Sequence, residues 1–152
     1  MVIRPARPDD VSEVLRLIRA LAAYEREPAA VQTTTEDLAE ALFGPAPLAH
    51  AHVADDDGQV VGMALWFLAF STWKGRPTLY LEDLFVEPDR RGGGLGAALM
   101  AALAEQATQL GCARMEWSVL NWNEPAIGFY RTLGAQPMQQ WTTWRLDLPL
   151  LS

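Results

Sequence analysis

Leu79-Tyr80-Leu81-Glu82-Asp83-Leu84-Phe85-Val86 runs into Glu87-Pro88-Asp89-Arg90-Arg91-Gly92-Gly93-Gly94-Leu95-Gly96-Ala97, and this junction decides the fold. The first stretch belongs to an apolar strand, expected from Thr78 to Val86 after a turn at Lys74-Gly75-Arg76-Pro77. Beyond the glycines, Leu95, Ala98, Leu99, Ala102, Leu103 and Leu110 recur at helical spacing as far as Gly111, a residue suited to a helix C-terminus. Arg114 to Leu120 then reads as another strand. A strand, a helix and a strand in that order require a crossover, and a crossover joins parallel strands.

Upstream, Val2 to Arg4 reads as a short strand, and Asp9 and Asp10 stand where carboxylates favour the positive end of a helix. Val11, Val14, Leu15, Ile18, Leu21 and Ala22 form the apolar face of that helix. Thr33 with Glu36, or Thr34 with Asp37, fits the capping pattern of a shorter helix that ends near Gly44-Pro45. His50 to Ala54 and Gln59 to Phe70 make a hairpin about Asp55-Asp56-Asp57-Gly58, because Asp-Gly supplies the positive φ angles such a turn needs. Downstream, Asn123-Glu124-Pro125 opens a helix to Leu133 with Gly134 past its end, and Trp144 to Leu148 reads as a closing strand. The expectation is an α/β fold with a mixed sheet, built as one domain over residues 1–152.

The composition agrees. Half of the 152 residues are apolar, which suits one globular core. Twelve Lys and Arg against 19 Asp and Glu leave a net charge of -7, and Arg90-Arg91 is the only tight basic cluster. This argues against a nucleic-acid partner, which needs a basic stripe, and favours cationic small molecules. A lone Cys112 forms no internal disulfide, the start MVIRPARPDD has no signal-peptide apolar core, and no apolar run approaches the ~20 residues of a membrane span. A cytoplasmic protein without a membrane partner is expected.

Four glycines within Gly92 to Gly96 let the backbone approach a ligand, and amides at the start of the following helix lack intrahelical partners. They can donate to an anion, and the two neighbouring arginines reinforce a phosphate reading. A flexible surface loop is the plainer alternative. Gly92-x-Gly94-x-x-Ala97, with Glu116 about 20 residues on, also satisfies the dinucleotide fingerprint. That fingerprint normally follows its strand directly, whereas Glu87 to Arg91 intervene here. No Gly-Lys-Ser/Thr occurs for a nucleoside-triphosphate loop.

Glu82 and Asp83 are adjacent carboxylates inside the apolar strand. Alternation sends them to opposite faces unless a bulge intervenes, and an unpaired buried carboxylate costs several kcal/mol. One of them is therefore expected to line a cleft, take a charged partner or have a raised pKa, the alternative being a strand with one wet face. His50-x-His52 places two imidazoles on one strand face, but with no further His or Cys nearby no metal is expected. Cys112 reads as a small buried hydrophobe, and Tyr130, on the helix after Asn123, as core unless its surroundings promote it.

With Arg91-x-x-Gly94-x-Gly96 after an apolar strand and Asn123-Glu124-Pro125-Ala126-x-x-Phe129-Tyr130 downstream, the chain resembles the GNAT superfamily of acyl-coenzyme A dependent N-acetyltransferases. RALAAYE, YLEDLFV, RRGGGLG and WNEPAIGFYRTLGA are similar to its diamine (spermidine/spermine) and thialysine branch, over Val2 to about Asp147. The resemblance implies a mixed sheet, flanked by helices, that splays open after the Tyr80 to Val86 strand. It implies acetyl-coenzyme A as cofactor, with its arm on backbone groups of Leu84, Phe85 and Val86. The pyrophosphate would lie on amides of Arg91, Gly92, Gly93, Gly94, Leu95, Gly96 and Ala97, and Asn123, Glu124, Pro125 and Ala126 would line the arm further along. Tyr130 would stand near the thioester sulfur as general acid, and Glu82 would act as base, directly or through water. A small amine would be held by Tyr24, Glu25, Trp73, Glu82, Asp83, Glu116, Trp117 and Ser118.

Polyamine enzymes of that branch carry an acid just before a Gly-Trp-Arg, where this chain has Thr142-Thr143-Trp144-Arg145, and Phe70-Ser71-Thr72-Trp73 also lacks an Asp. Fewer acids imply a shorter diamine or an amino-acid-like amine. The branch further implies a homodimer. A non-catalytic acyl-coenzyme A sensor is the alternative function, and a nucleotide-dependent oxidoreductase half-domain a third.

Overall fold

The computed structural model describes residues 1–150. In chain order the elements are β1 (Val2–Pro5), α1 (Val11–Tyr24), α2 (Thr35–Phe43), β2 (His50–Asp56), β3 (Gln59–Ser71), β4 (Arg76–Val86), α3 (Leu95–Gln109), β5 (Arg114–Glu116) and α4 (Glu124–Thr132). Residues Met1–Ser118 form one compact unit, and a second begins at Val119.

Local chemistry sets the element ends. Asp10, before α1, accepts the Arg7 amide at 2.7 Å and is clasped by the Arg4 guanidinium, which also reaches Asp55. Of the two capping patterns offered by the sequence, Thr34 with Asp37 forms: each side chain accepts the other residue's amide at 3.1 Å. The β2–β3 turn is tighter than expected, with β2 running to Asp56 and positive φ only at Asp57 (51°) and Gly58 (88°). Asp55 closes it by accepting the Gly58 amide at 2.7 Å. Similarly β4 starts at Arg76, so Arg76 and Pro77 belong to the strand rather than to the preceding turn.

The sheet has the order β1-β2-β3-β4-β5, antiparallel throughout except for the parallel β4–β5 pair that the crossover through α3 requires. One face, including Ala51, Val53, Met63, Leu65 and Phe85, packs with Val11, Val14, Leu15 and Leu17 of α1 and Leu38 and Leu42 of α2. The opposite face meets α3 so closely that a Cβ at Gly62 would lie 3.4 Å from Leu99 Cδ1 and 3.3 Å from the Phe85 carbonyl oxygen. Leu79, Leu99 and Leu103 are fully buried. The result is an open, mixed α/β sheet between helices.

Strand β5 is shorter than the expected Arg114 to Leu120. It pairs only Arg114, Met115 and Glu116 with Thr78, Leu79 and Tyr80, while β4 runs on to Val86 without a neighbour on that side among the described residues. The expected strand from Trp144 to Leu148 does not form. Its alternation is real, but a strand also needs a neighbouring backbone to receive its amides, and Trp144, Leu146 and Leu148 stand 91%, 71% and 80% exposed.

Leu103 shows how strongly the α3 face is held. Leu103→Ala is expected to cost about 2–5 kcal/mol of unfolding free energy, read by urea denaturation, because its site is closed on all sides.

Candidate functional site

The glycine loop is fastened from three directions. Arg16 of α1 bonds the Glu87 carboxylate and, at 3.1 Å, the Val60 carbonyl. Arg90 pairs with Asp56 at the end of β2. Arg91 donates from Nε to the Val86 carbonyl at 2.9 Å, with its guanidinium over the rings of Tyr24 (5.0 Å) and Phe85 (5.1 Å). The two arginines read from sequence as phosphate partners therefore have engaged side chains, and they shape the loop that would hold the phosphate.

The loop itself is a cradle of amides. The Arg91 amide makes a long 3.4 Å bond to the Pro88 carbonyl, whereas those of Gly92, Gly93, Gly94, Leu95, Gly96 and Ala97 have no backbone acceptor among the described residues. Gly94, at φ 83°, is the left-handed residue that turns the chain into α3, a geometry a Cβ would strain. Successive free amides at a helix N-terminus fit a diphosphate. Leu84, Phe85 and Val86, the residues assigned to the cofactor's arm, lie at the end of β4 that leads into this loop.

Glu82 lies in a β-bulge, a feature the sequence left open. Leu65 pairs with Asp83 while its neighbour Trp66 pairs with Leu81, so two residues of β3 oppose three of β4. Leu65 and Trp66 point to opposite faces, and so do Leu81 and Asp83. Asp83 thus shares the α1 face with Leu65. Its carboxyl is pushed up to about 6 by burial, then by the charges of Glu82 and Glu25. Glu25, at the C-terminus of α1, is raised by burial. Among the described residues, none of these three carboxylates takes a hydrogen bond or an ion pair. Glu82 and Glu25, the latter next to Tyr24 in the chain, thus bring negative charge to bear on Asp83.

The remaining expected substrate residues are more scattered. Glu116 pairs with Tyr80 in register and so shares its sheet face, but its charge is answered by Arg114 at 2.8 Å. Ser118 lies 3.1 Å from the Tyr80 hydroxyl, with Trp117 between it and β5. Trp73 sits in the β3–β4 turn, 85% exposed.

In the second unit, Asn123 caps α4 by accepting the Ala126 amide at 3.3 Å, with Glu124 and Pro125 in the first turn. Tyr130 is half-buried on the same helix, its ring 5.4 Å from that of Phe129. In the histidine pair, His52 Nδ1 accepts the Trp66 indole N–H at 3.1 Å, and burial and the neighbouring His50 push its pKa down. No metal-holding group of three ligands occurs among the described residues, and no described helix is long and apolar enough to cross a membrane. Cys112 is partly buried, and that burial raises its thiol pKa.

The sequence profile of the acetyltransferase (GNAT) family matches residues 14–135. The chain is 39% identical to thialysine N-epsilon-acetyltransferase of Bos taurus, over 95% of this chain and 89% of that enzyme. It is 34% identical to spermidine/spermine N(1)-acetyltransferase-like protein 1 of Homo sapiens, over 95% of this chain and 22% of that protein. Among solved structures, an integron cassette protein from the V. cholerae mobile metagenome superposes with a TM-score of 0.81 at 26% identity, covering 97% and 93% of the two chains.

Asp83 gives the site a pH signature. A carboxyl raised from 3.8 to about 6 makes a stabilising contribution that is complete below pH 3.8 and is lost as pH rises through 6. Asp83→Asn is therefore expected to stabilise the protein by on the order of 2–3 kcal/mol at pH 8 and by almost nothing at pH 4, measured as paired unfolding curves.

Proposed function

Because the chain belongs to the acetyltransferase (GNAT) family, we propose that it moves acetyl from acetyl-coenzyme A to the primary amine of a small cationic molecule, a short diamine or an amino acid with an amine side chain. The single observation that carries the substrate class is the convergence of Glu25, Glu82 and Asp83 without a cation, in the same unit as the amide cradle at Gly92–Ala97. The relatives named for thialysine and for spermidine/spermine support an amine of this kind.

When bound, acetyl-coenzyme A supplies an acetyl group already activated as a thioester. The amides from Arg91 to Ala97 would hold its diphosphate and Leu84, Phe85 and Val86 its arm, and the family resemblance adds Asn123, Glu124, Pro125 and Ala126 to the residues that would line the arm. Tyr24, Glu25 and Asp83 would bind the amine, and Trp73, Glu116, Trp117 and Ser118, which the family resemblance adds, lie further from these acids. An alkyl ammonium with a pKa near ~10.4 is neutral in only about one molecule in a thousand at pH 7.4, a deficit of roughly 4 kcal/mol. Glu82 answers that deficit by accepting the ammonium proton, directly or through one water. A backbone amide near Leu84 donates to the oxygen on which negative charge develops. The neutral nitrogen would attack the thioester carbonyl, forming the amide C–N bond as the C–S bond breaks, and the Tyr130 hydroxyl would protonate the departing thiolate. Phenol to thiolate transfer is uphill by about 2 kcal/mol at ordinary pKa values, so the site must favour the tyrosinate.

We read residues 1–152 as one such catalytic domain, acting in the cytoplasm as a homodimer. The exposed apolar side chains Trp144, Leu146 and Leu148 support a partner surface.

Thiol release from acetyl-coenzyme A, measured over spermidine, spermine, putrescine, thialysine, lysine and an aminoglycoside with no-amine controls, tests the reading. Rapid release with putrescine or thialysine is expected. Silence over the whole panel with cofactor binding retained would turn the assignment towards an acyl-coenzyme A sensor. Tyr130→Phe should lower turnover about 100-fold or more while leaving coenzyme A affinity nearly intact, and normal turnover in that variant removes the acid role.

A further inference from the structure

Arg91 opens the amide cradle, yet its side chain turns back beneath it. The guanidinium lies over two aromatic rings on different elements: Tyr24, the last residue of α1, at 5.0 Å, and Phe85, near the end of β4, at 5.1 Å. Its Nε donates to the Val86 carbonyl at 2.9 Å, which fixes the plane of the group. Tyr24 is followed directly by Glu25, whose charge acts on Asp83. One side chain therefore connects the root of the cofactor loop to the acidic end of α1.

Resting on the acetyltransferase reading above, we propose that Arg91 is a positioning residue which couples cofactor and amine binding. Its clamp on Tyr24 and Phe85 passes the ordering of the Gly92–Ala97 backbone on to the Tyr24–Glu25 end of the amine site. A loop with four glycines in five positions spends conformational freedom when its amides close on a diphosphate. Closure fixes the Arg91 backbone, the backbone fixes the guanidinium, and the guanidinium fixes the Tyr24 ring. An amine arriving second then finds Glu25 already in place and no longer bears that ordering cost. By linkage, amine bound first favours the cofactor by the same factor.

The experiment is a titration of coenzyme A by calorimetry, with and without saturating thialysine or putrescine. Wild-type protein should bind coenzyme A at least fivefold more tightly with the amine present. Arg91→Met and Tyr24→Leu should each bring that ratio close to one, and Tyr24→Phe, which keeps the ring, should retain the wild-type ratio. Tyr24 is on the surface, so Tyr24→Leu keeps the test open if Arg91→Met fails to fold.

If Arg91 instead paired directly with the diphosphate, Arg91→Met would weaken coenzyme A binding while Tyr24→Leu left the ratio unchanged, and that result overturns the proposal. A wild-type ratio of one overturns it too, while leaving the transferase reading in place. Failure of the wild-type protein to bind coenzyme A at all would overturn both.

Discussion

The bulge at Glu82 is the constraint on which the candidate site depends. Without it, the alternation that places Leu81 on the α3 face would carry Asp83 there as well, into the face closed by Leu99 and Leu103. An ionised carboxylate in that layer would be unpaired and dry, a cost no nearby cation offsets. One extra residue turns Asp83 to the α1 face, where Glu25 arrives from the end of a helix. The same insertion lets the β3 and β4 ladders on either side remain in register, so the sheet keeps its hydrogen bonds while its chemistry changes face.

The amide cradle poses a different electrostatic problem. A chain of net charge -7 repels an anion at long range, and its tightest basic pair is engaged with Asp56 and with the Val86 carbonyl. An anion at this loop would therefore have to be met by neutral donors, and the six amides from Gly92 to Ala97, at the α3 N-terminus, have no backbone acceptor among the described residues. Arginine side chains serve here as fasteners: Arg16, Arg90 and Arg91 tie the loop to α1, to β2 and to the end of β4. A loop with so many glycines would otherwise sample many conformations, most of them unable to present converging amides.

Much of this was legible in the sequence because it is local. The 3.6-residue repeats of α1 and α3, the Asp57-Gly58 turn, the glycine-bracketed start of α3 and the parallel pair implied by its crossover all follow from short-range rules. The acidic pair in β4 was legible as an anomaly, but its arrangement was not, since a bulge is decided by the partner strand and leaves no fixed mark on the strand that carries it. The roles of Arg90 and Arg91 were hidden for the same reason: Asp56 and Tyr24 lie far away in sequence. Trp144 to Leu148 failed in the opposite way. Its alternation is clear, but alternation describes side chains, and strand formation is settled by whether another backbone lies alongside.

The separation of charge within one unit bears on the proposed amine chemistry. Three carboxylates at one place attract an ammonium and, by holding it, also hold its proton, which works against an amine that must attack as the neutral form. The two demands are reconciled if the acids differ. On the proposed reading Asp83, its carboxyl pushed up to about 6 by burial and its neighbours, gains most from a cation and so suits binding, while Glu82 stands exposed at the bulge. A lone carboxylate would have to choose between the two tasks, and the proposed reading divides them between the adjacent residues that the bulge presents.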